Sequence, residues 1–194
     1  MSNYRPGTDR EGDKDMKSHT IKSIVRAKYG DNITTDQITS SKYVTSTSPE
    51  ELAKVALRDV DPNFLQKLSA GGIVIAGKNF SAGSSRYWAP TALKAANVKA
   101  IIAEFFARVF YRNALNLALP VIECKGISDN VNEGDELEID LVTGRISNLS
   151  SGQSYQGAPI PEFLLDIIAS GGLAPHLKKM FSKQPAVSND KMGA

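Results

Sequence analysis

The residues with the clearest chemical potential are Ser84, Ser85 and Arg86, which lie in a glycine- and serine-rich stretch. An apolar run, residues 71–76, precedes this stretch, and an alanine-rich run, residues 91–97, follows it. A strand, a glycine-rich loop and a helix start leave backbone N–H groups free to point at an anion. The arginine adds a planar set of donors that suits a carboxylate or a phosphate. The stretch therefore predicts a site for a negatively charged group.

A simpler interpretation also fits the same residues. Ser84 or Ser85 can cap the helix that follows, with Arg86 exposed beside it. The glycine spacing matches neither the Walker motif nor the dinucleotide-binding motif. Local composition therefore leaves an ordinary capped helix open as an alternative to an anion site.

The serines have no histidine near them in sequence, so a serine–histidine pair is not predicted. A serine without a base can still accept a proton if N–H groups, a helix N-terminus and a cation stabilise its alkoxide. Expulsion of a poor leaving group after such a proton transfer would also need an electrophile, usually a metal, and this chain has no ligand set for one. The residues therefore predict half of an active site.

Composition limits the other classes of function. The chain has 194 residues, 41% of them hydrophobic, and a net charge of +2, so it fits one globular domain without a strong field for nucleic acid or an anionic membrane. The single cysteine, Cys124, ends an apolar run and is predicted to be a buried thiol. No apolar run approaches the ~20 residues of a membrane span, and the polar N-terminus lacks the apolar core of a signal peptide. A cytoplasmic protein is expected.

The expected organisation is a disordered N-terminal arm, residues 1–18, a folded domain, residues 19–180, and a loose C-terminal tail, residues 181–194. The arm is rich in charges and has almost no apolar side chains to repay its ordering entropy. The tail is polar.

Strands alternate with helices in the middle of the chain, which predicts an α/β fold with a partly parallel sheet. Strands are predicted at residues 21–28, 72–76, 99–103 and 119–124, and a hairpin at 136–142 and 145–148. Helices are predicted at residues 50–57, 62–68, 106–118 and 161–169, with another that ends near residue 96. Pro90 cannot donate a hydrogen bond, so this last helix is expected to begin there. Residues 29–39 are predicted to form a polar turn.

Three longer segments carry a family resemblance. The stretch Gly77-Lys-Asn-Phe-Ser-Ala-Gly-Ser-Ser-Arg-Tyr-Trp-Ala-Pro90 is followed by a run, residues 99–122, that contains Glu-Phe-Phe-Ala-Arg-Val-Phe-Tyr-Arg-Asn. Together with Tyr29-Gly-Asp-Asn-Ile-Thr-Thr-Asp-Gln-Ile38, they resemble the small subunit of the aconitase and isopropylmalate isomerase family of hydro-lyases. The resemblance covers roughly residues 20–178. It implies a swivelling β/β/α domain of the aconitase type, with a mixed, partly parallel sheet flanked by helices.

The resemblance also implies roles for individual residues. Ser84 would be the base that removes the α-proton, Ser85 would assist, Arg86 would hold a substrate carboxylate, and Asp36 would face the active site. A further set is implied to contact substrate: Thr35, Gly83 and, in a segment that sets substrate choice, Tyr43, Val44 and Thr45.

In this family a 4Fe–4S cluster, bound by cysteines of a large subunit, takes the leaving hydroxyl. The resemblance therefore implies that this chain binds no cofactor itself and completes its site with a large-subunit partner. The implied reaction is the isomerisation of a 2-hydroxy dicarboxylate, most often 3-isopropylmalate in leucine biosynthesis.

The sequence departs from the family pattern close to the implied site. Tyr87 and Trp88 stand where the family normally has Glu-His, and Thr45 stands where isopropylmalate enzymes of this kind often have arginine. Two alternatives therefore stay open. One is the same architecture acting on a citrate-, homocitrate- or methylmalate-like substrate, and the other is a non-catalytic paralogue that binds a partner or a small anion.

Overall fold

A computed structural model describes residues 19–83 and 87–182. Within these residues the strands are β1 (Thr20–Lys28), β2 (Gly72–Ala76), β3 (Val98–Ala103), β4 (Val121–Glu123), β5 (Glu136–Asp140), β6 (Arg145–Asn148) and β7 (Ser154–Gln156). The helices are α1 (Thr35–Ile38), α2 (Pro49–Val55), α3 (Phe64–Lys67), α4 (Trp88–Ala95), α5 (Arg108–Asn116), α6 (Ile127–Asn130), α7 (Glu162–Ala169) and α8 (Leu173–Ser182). No helix in the described part of the chain is long and apolar enough to cross a membrane.

The described strands form one mixed sheet in the order β4-β3-β2-β1-β5-β6-β7. Strands β1 to β4 pair in parallel, whereas β5 pairs antiparallel with β1 and continues into β6 and β7. The predicted α/β class with a partly parallel sheet is confirmed. The predicted hairpin is also confirmed, with Ile139 of β5 opposite Ile146 of β6.

The parallel half of the sheet holds the centre of the core. Every residue of β2 is buried, as expected for a parallel strand covered on both faces. The predicted bounds of β2 agree with the structure because its apolar run ends at glycine on both sides. Cys124, which follows β4, is 2% exposed, so the predicted buried thiol is confirmed.

Helix α4 begins at Trp88, two residues before the predicted start at Pro90. Pro90 is the third residue of this helix, where a backbone N–H has no partner within the helix in any case. The proline therefore fits inside the first turn, and the predicted start was wrong.

The predicted polar turn at residues 29–39 contains the short helix α1. Thr34 caps this helix: its side chain accepts from the Gln37 backbone N–H, and the Gln37 side chain accepts from the Thr34 N–H. This capping box is visible in the sequence as Thr-x-x-Gln, but the turn interpretation missed it.

Besides α1, three elements were not predicted, namely α6, β7 and α8. The last of these ends at Ser182, two residues into the segment predicted to be a tail. The predicted arm, residues 1–18, and the rest of the predicted tail, residues 183–194, lie outside the described residues.

Thr39 offers a test of the packing around α1. Its side chain is fully buried, and its Oγ1 has no hydrogen-bond partner among the described residues. An unsatisfied buried hydroxyl is costly, so Thr39→Val should raise the free energy of unfolding by about 1 kcal/mol, or the melting temperature by about 2–4 °C. Thermal unfolding of the full chain measures this.

Thr34→Val is the matched control, because it applies the same substitution to a threonine that caps α1. It should lower the free energy of unfolding by about 1 kcal/mol. Destabilisation by both substitutions would contradict the unsatisfied state of the Thr39 hydroxyl.

Candidate active site

Three adjacent parallel strands send their following loops to the same edge of the sheet. Strands β1, β2 and β3 are neighbours and run in the same direction, so the loops after them leave from their carboxyl ends together. These are the β1 loop, residues 29–34, the β2 loop, residues 77–87, and the β3 loop, residues 104–107. Ligands of open α/β sheets bind outside the carboxyl ends of the strands. A ligand site is therefore expected at this edge of the sheet.

The β1 and β2 loops are joined by backbone hydrogen bonds. The Ser81 N–H donates to the Ile33 carbonyl at 2.6 Å, and the Thr35 N–H donates to the Ala82 carbonyl at 2.8 Å. Thr34 and Ala82 form a short parallel bridge between them. The parallel pairing of β1 and β2 thus continues past the sheet edge into the two loops that lead to Thr35 and to the serine–arginine run.

Gly77 lets the two loops approach closely at the point where they leave the sheet. A Cβ atom on Gly77 would lie 2.1 Å from Asp31 Oδ1 and 2.9 Å from the Asp31 backbone nitrogen. The same Asp31 Oδ1 accepts a hydrogen bond from the Lys78 N–H at 2.7 Å. The absence of a side chain at Gly77 therefore permits the contact that fixes the start of the β2 loop.

The β3 loop holds the β2 loop from the other side. The Phe80 N–H donates to the Phe105 carbonyl, and the Ala107 N–H donates to the Phe80 carbonyl, both at 3.0 Å. The Phe80 ring is fully buried and packs edge-on against Phe106 and Phe110, with ring centres 6.1 and 5.5 Å away. These contacts anchor the β2 loop up to Phe80.

Thr35 lies where the β1 and β2 loops meet. Its side chain is buried, and its Oγ1 lies 3.2 Å from the carbonyl oxygens of both Ser81 and Ala82 and 3.3 Å from Ser81 Oγ. Ser81 has a φ of +61°, in the left-handed region that favours glycine. Asp36 follows Thr35 in the first turn of α1 and is exposed. Thr35 therefore supports the β2 loop, with Asp36 at the surface beside it.

A cleft opens next to these residues. It has a volume of about 360 Å³, including space open to solvent. It is lined by Thr35, Ser81, Gly83, Ala107, Arg108, Val109, Phe110 and Asn113. Gly83 is the last described residue before the predicted serine–arginine run. Ser84, Ser85 and Arg86 lie outside the described residues.

The structure brings together two of the implied substrate-contacting residues, Thr35 and Gly83, and both line the cleft. Tyr43, Val44 and Thr45 do not line it. Val44 is partly buried and packs against the hydrophobic core, whereas Thr45 is exposed.

Tyr43 belongs to a charged surface cluster. Its hydroxyl donates to Asp59 Oδ1 at 2.7 Å, and the Lys42 ammonium and the Arg58 guanidinium each lie 4.8 Å from the centre of its ring. The hydrogen bond and the two cation–π contacts favour this position of the ring. Within the described residues, Tyr43 is therefore part of a surface contact between the segment after α1 and the segment after α2.

Sequence reasoning assigned no role in the site to Ser81, Arg108 or Asn113, which also line the cleft. All three belong to the segments that carry the family resemblance. The order of the strands could have indicated them. Residues that follow one parallel strand lie at the same edge of the sheet as the loop that follows the adjacent parallel strand. Arg108 begins the helix that follows β3.

Tyr87 stands next to the predicted serine–arginine run, at the start of α4. It is 48% exposed, and its partial burial raises the pKa of its phenol above the ordinary value. Tyr87 therefore presents a neutral ring and hydroxyl at the end of the β2 loop around neutral pH.

The described residues do not provide a metal site. Within residues 19–83 and 87–182, no three His, Cys, Asp or Glu side chains are placed to hold a metal ion. Cys124 is buried, and desolvation, together with the charge of Glu104, raises the pKa of its thiol. A thiol in this environment stays protonated, whereas a metal ligand must be a thiolate. An iron–sulfur cluster therefore does not fit the described part of this chain.

Comparisons with known proteins agree on one family. A family model described as the aconitase C-terminal domain matches residues 7–126. The isopropylmalate/citramalate isomerase small subunit of Methanocaldococcus jannaschii is 49% identical over 166 residues, which cover 84% of this chain and 99% of that protein. The 3-isopropylmalate dehydratase small subunit of Lachnoclostridium phytofermentans is 46% identical over 164 residues, covering 84% and 97%.

A solved structure gives the same result in three dimensions. The crystal structure of a 3-isopropylmalate dehydratase from Methanocaldococcus jannaschii superposes with a TM-score of 0.77 and 37% identity. The match covers 84% of this chain and 96% of that one. Sequence, family model and fold thus confirm the resemblance drawn from the serine–arginine stretch, and this chain belongs to the aconitase C-terminal domain family.

Proposed function

We propose that this chain is the small subunit of a heteromeric hydro-lyase that isomerises 3-isopropylmalate by dehydration and rehydration in leucine biosynthesis. The observation that carries the proposal is the similarity to proteins named as small subunits of this enzyme, at 46–49% identity along most of their length. The geometry supports it, because the loop that holds the serine–arginine run starts beside a cleft at the carboxyl edge of the parallel strands. The proposed compartment is the cytoplasm.

In this proposal the chain contributes the proton-transfer half of the site. Ser84 accepts the α-proton of the substrate, Ser85 assists, and Arg86 binds a substrate carboxylate in bidentate fashion. Thr35 and Gly83 line the cleft, and Gly83 directly precedes the serines in sequence. Asp36, which follows Thr35 on α1, is proposed to face the active site.

The anchoring of the β2 loop supports this assignment. A catalytic group must be held close to its productive position, and a loop tied to fixed neighbours holds it better than a free one. Backbone hydrogen bonds tie residues 80–82 to the β1 loop and the β3 loop. The serines follow two residues after this anchored segment.

The second half of the site belongs to the proposed partner. The described residues offer no ligand set for a cluster. We therefore place the 4Fe–4S cluster on a large subunit, with the carboxyl edge of the sheet as the face that meets it. When bound there, the cluster would supply the Lewis acid that helps hydroxide to leave.

A second candidate function is favoured by one observation. The relative from Methanocaldococcus jannaschii has citramalate as well as isopropylmalate in its name, and citramalate is a methyl-substituted malate. Thr45, in the segment implied to set substrate choice, is exposed and carries no charge. The same architecture acting on a smaller methylmalate-type substrate is therefore the alternative.

Co-expression with a candidate large subunit tests both functions. The complex is purified, its cluster is reconstituted without oxygen, and formation of the unsaturated acid is followed with 3-isopropylmalate, citramalate, citrate and homocitrate. We expect the highest kcat/KM with 3-isopropylmalate. A higher value with citramalate would favour the second candidate. A stable complex that turns over none of these substrates would contradict both and favour a non-catalytic paralogue.

A further inference from the structure

Two consecutive helices, α7 and α8, expose large apolar side chains. On α8, Leu177, Met180 and Phe181 are 38%, 54% and 65% exposed, and on α7 the ring of Phe163 is 65% exposed. The three α8 residues share one side of the helix with Leu173, in the spacing of an amphipathic helix. Every residue of α8 is at least partly exposed. Apolar side chains grouped in this way on a surface are typical of a site that another molecule covers.

The charges of the two helices have opposite signs. The acidic residues of α7 are Glu162 and Asp166, the lysines of α8 are Lys178 and Lys179, and all four are exposed. The lysines lie on either side of the apolar stripe, and the acids lie on the same face of α7 as Phe163. Within the described residues, none of the four forms an ion pair. These charges and the exposed apolar side chains form the α7–α8 surface.

The α7–α8 surface lies away from the candidate active site. Helix α5 begins at the cleft with Arg108 and ends at Asn116. The turn between α7 and α8 meets this far end, because a Cβ atom on Gly172 would lie 2.9 Å from the Asn116 carbonyl oxygen. A helix of nine residues spans about 13 Å. A large subunit at the cleft and another molecule on the α7–α8 surface would therefore approach opposite ends of α5.

We propose that a second copy of this chain covers the α7–α8 surface, in a two-fold symmetric dimer in which α8 of each copy lies across α7 of the other. A two-fold contact uses the same surface on both copies, so an acidic helix beside a basic helix makes that surface complementary to itself. The lysines of one copy face the carboxylates of the second copy, and the apolar stripe packs on Phe163 of the second copy. The inference does not depend on the proposed reaction.

The mixed charge of the surface favours this occupant over a partner of one sign. A uniformly acidic partner would attract α8 and repel α7, and a uniformly basic partner would do the reverse. The second copy presents both signs in the required arrangement. Because the two helices have only eight and ten residues, we expect an interface on the order of 1,200 Å² and a dissociation constant on the order of micromolar.

Sedimentation equilibrium of the full chain tests the dimer. The wild-type chain should pass from monomer to dimer between about 1 and 100 µM. Phe181→Ser should weaken the dimer by at least about 30-fold, because a two-fold contact loses the ring twice. Phe105→Ser is the matched control, since it removes a ring that is 47% exposed but lies in the β3 loop, and it should change the dissociation constant by less than about twofold.

Charge reversal gives a second test that depends on two copies. One variant combines Glu162→Lys with Asp166→Lys, and the other combines Lys178→Glu with Lys179→Glu. At low salt, each variant alone should dimerise at least about 10-fold more weakly than wild type, because like charges face each other in both halves of the contact. An equimolar mixture should recover a dissociation constant within about threefold of wild type, because opposite charges then face each other in both halves.

Several results would overturn the dimer. They are a wild-type chain that stays monomeric across the concentration range, equal weakening in Phe105→Ser and Phe181→Ser, and a mixture that does not recover. Recovery in one chain that carries all four reversals, without recovery in the mixture, would show that the charges pair within one copy. For a monomeric wild-type chain, loss of large-subunit binding in the reversed variants would assign the surface to that subunit. Dimerisation only after removal of residues 183–194 would assign it to that segment.

Discussion

Ser84→Ala should lower kcat of the reconstituted complex by about 10²- to 10⁴-fold while the two subunits still assemble. The substitution removes the oxygen that is proposed to accept the α-proton, and loss of a positioned proton-transfer group has an effect of this size. Substrate binding should change little, because the proposed carboxylate anchor, Arg86, remains. Steady-state kinetics with 3-isopropylmalate, together with gel filtration of the complex, measure both quantities.

Ser85→Ala is the matched comparison for this prediction. It removes the same hydroxyl from the adjacent residue, which is proposed only to assist, so its loss in kcat should be clearly smaller. Wild-type turnover in Ser84→Ala would exclude Ser84 as the base. A larger loss in Ser85→Ala than in Ser84→Ala would assign the base to Ser85 instead.

Gly77→Ala should lower the free energy of unfolding by about 2–4 kcal/mol, because the new methyl group overlaps Asp31 and displaces its side chain from the Lys78 N–H. The backbone of Gly30 lies within 3.0 Å of the added Cβ as well, so a rotation of Asp31 alone does not relieve the overlap. The β1 and β2 loops must then separate at the sheet edge. Urea unfolding of the full chain measures the loss of stability.

Gly30→Ala is the control for Gly77→Ala. A Cβ at Gly30 meets nothing within 4 Å, so this substitution should change the free energy of unfolding by less than about 0.5 kcal/mol. Because the β2 loop carries the proposed base, Gly77→Ala should also reduce turnover of the complex. Equal stability of the two variants would show that the loops do not need this close approach.

The sequence alone determined the elements whose signals are local. Strand β2 was predicted with the correct bounds, because a short apolar run lies between Gly71 and Gly77. A helix was predicted at residues 50–57, and in the structure α2 spans Pro49–Val55 with Ser48 as its cap. The β5–β6 hairpin was predicted from its alternation of polar and apolar residues. Each signal is contained within a few neighbouring positions.

The sequence also determined the family, through the order of its motifs along the chain. It predicted the proposed base and carboxylate anchor, Ser84 and Arg86, which lie outside the described residues. The resemblance implied substrate contact for Thr35 and Gly83, which stays a prediction; in the structure both residues line the cleft. Substrate contact by Tyr43, Val44 and Thr45 stays a prediction for the assembled enzyme. In the described structure the Tyr43 hydroxyl donates to Asp59.

Only the tertiary structure decided which loops form the walls of the cleft. The bridges from Thr34 to Ala82 and from Phe80 to Phe106 join segments that are far apart in the chain. They exist because β1, β2 and β3 are neighbours in the sheet, and no local pattern encodes that order. Arg108 enters the cleft for the same reason: the helix that follows β3 begins beside the β2 loop. Local periodicity and caps determine elements, whereas strand neighbours and their direction determine which side chains meet at a site.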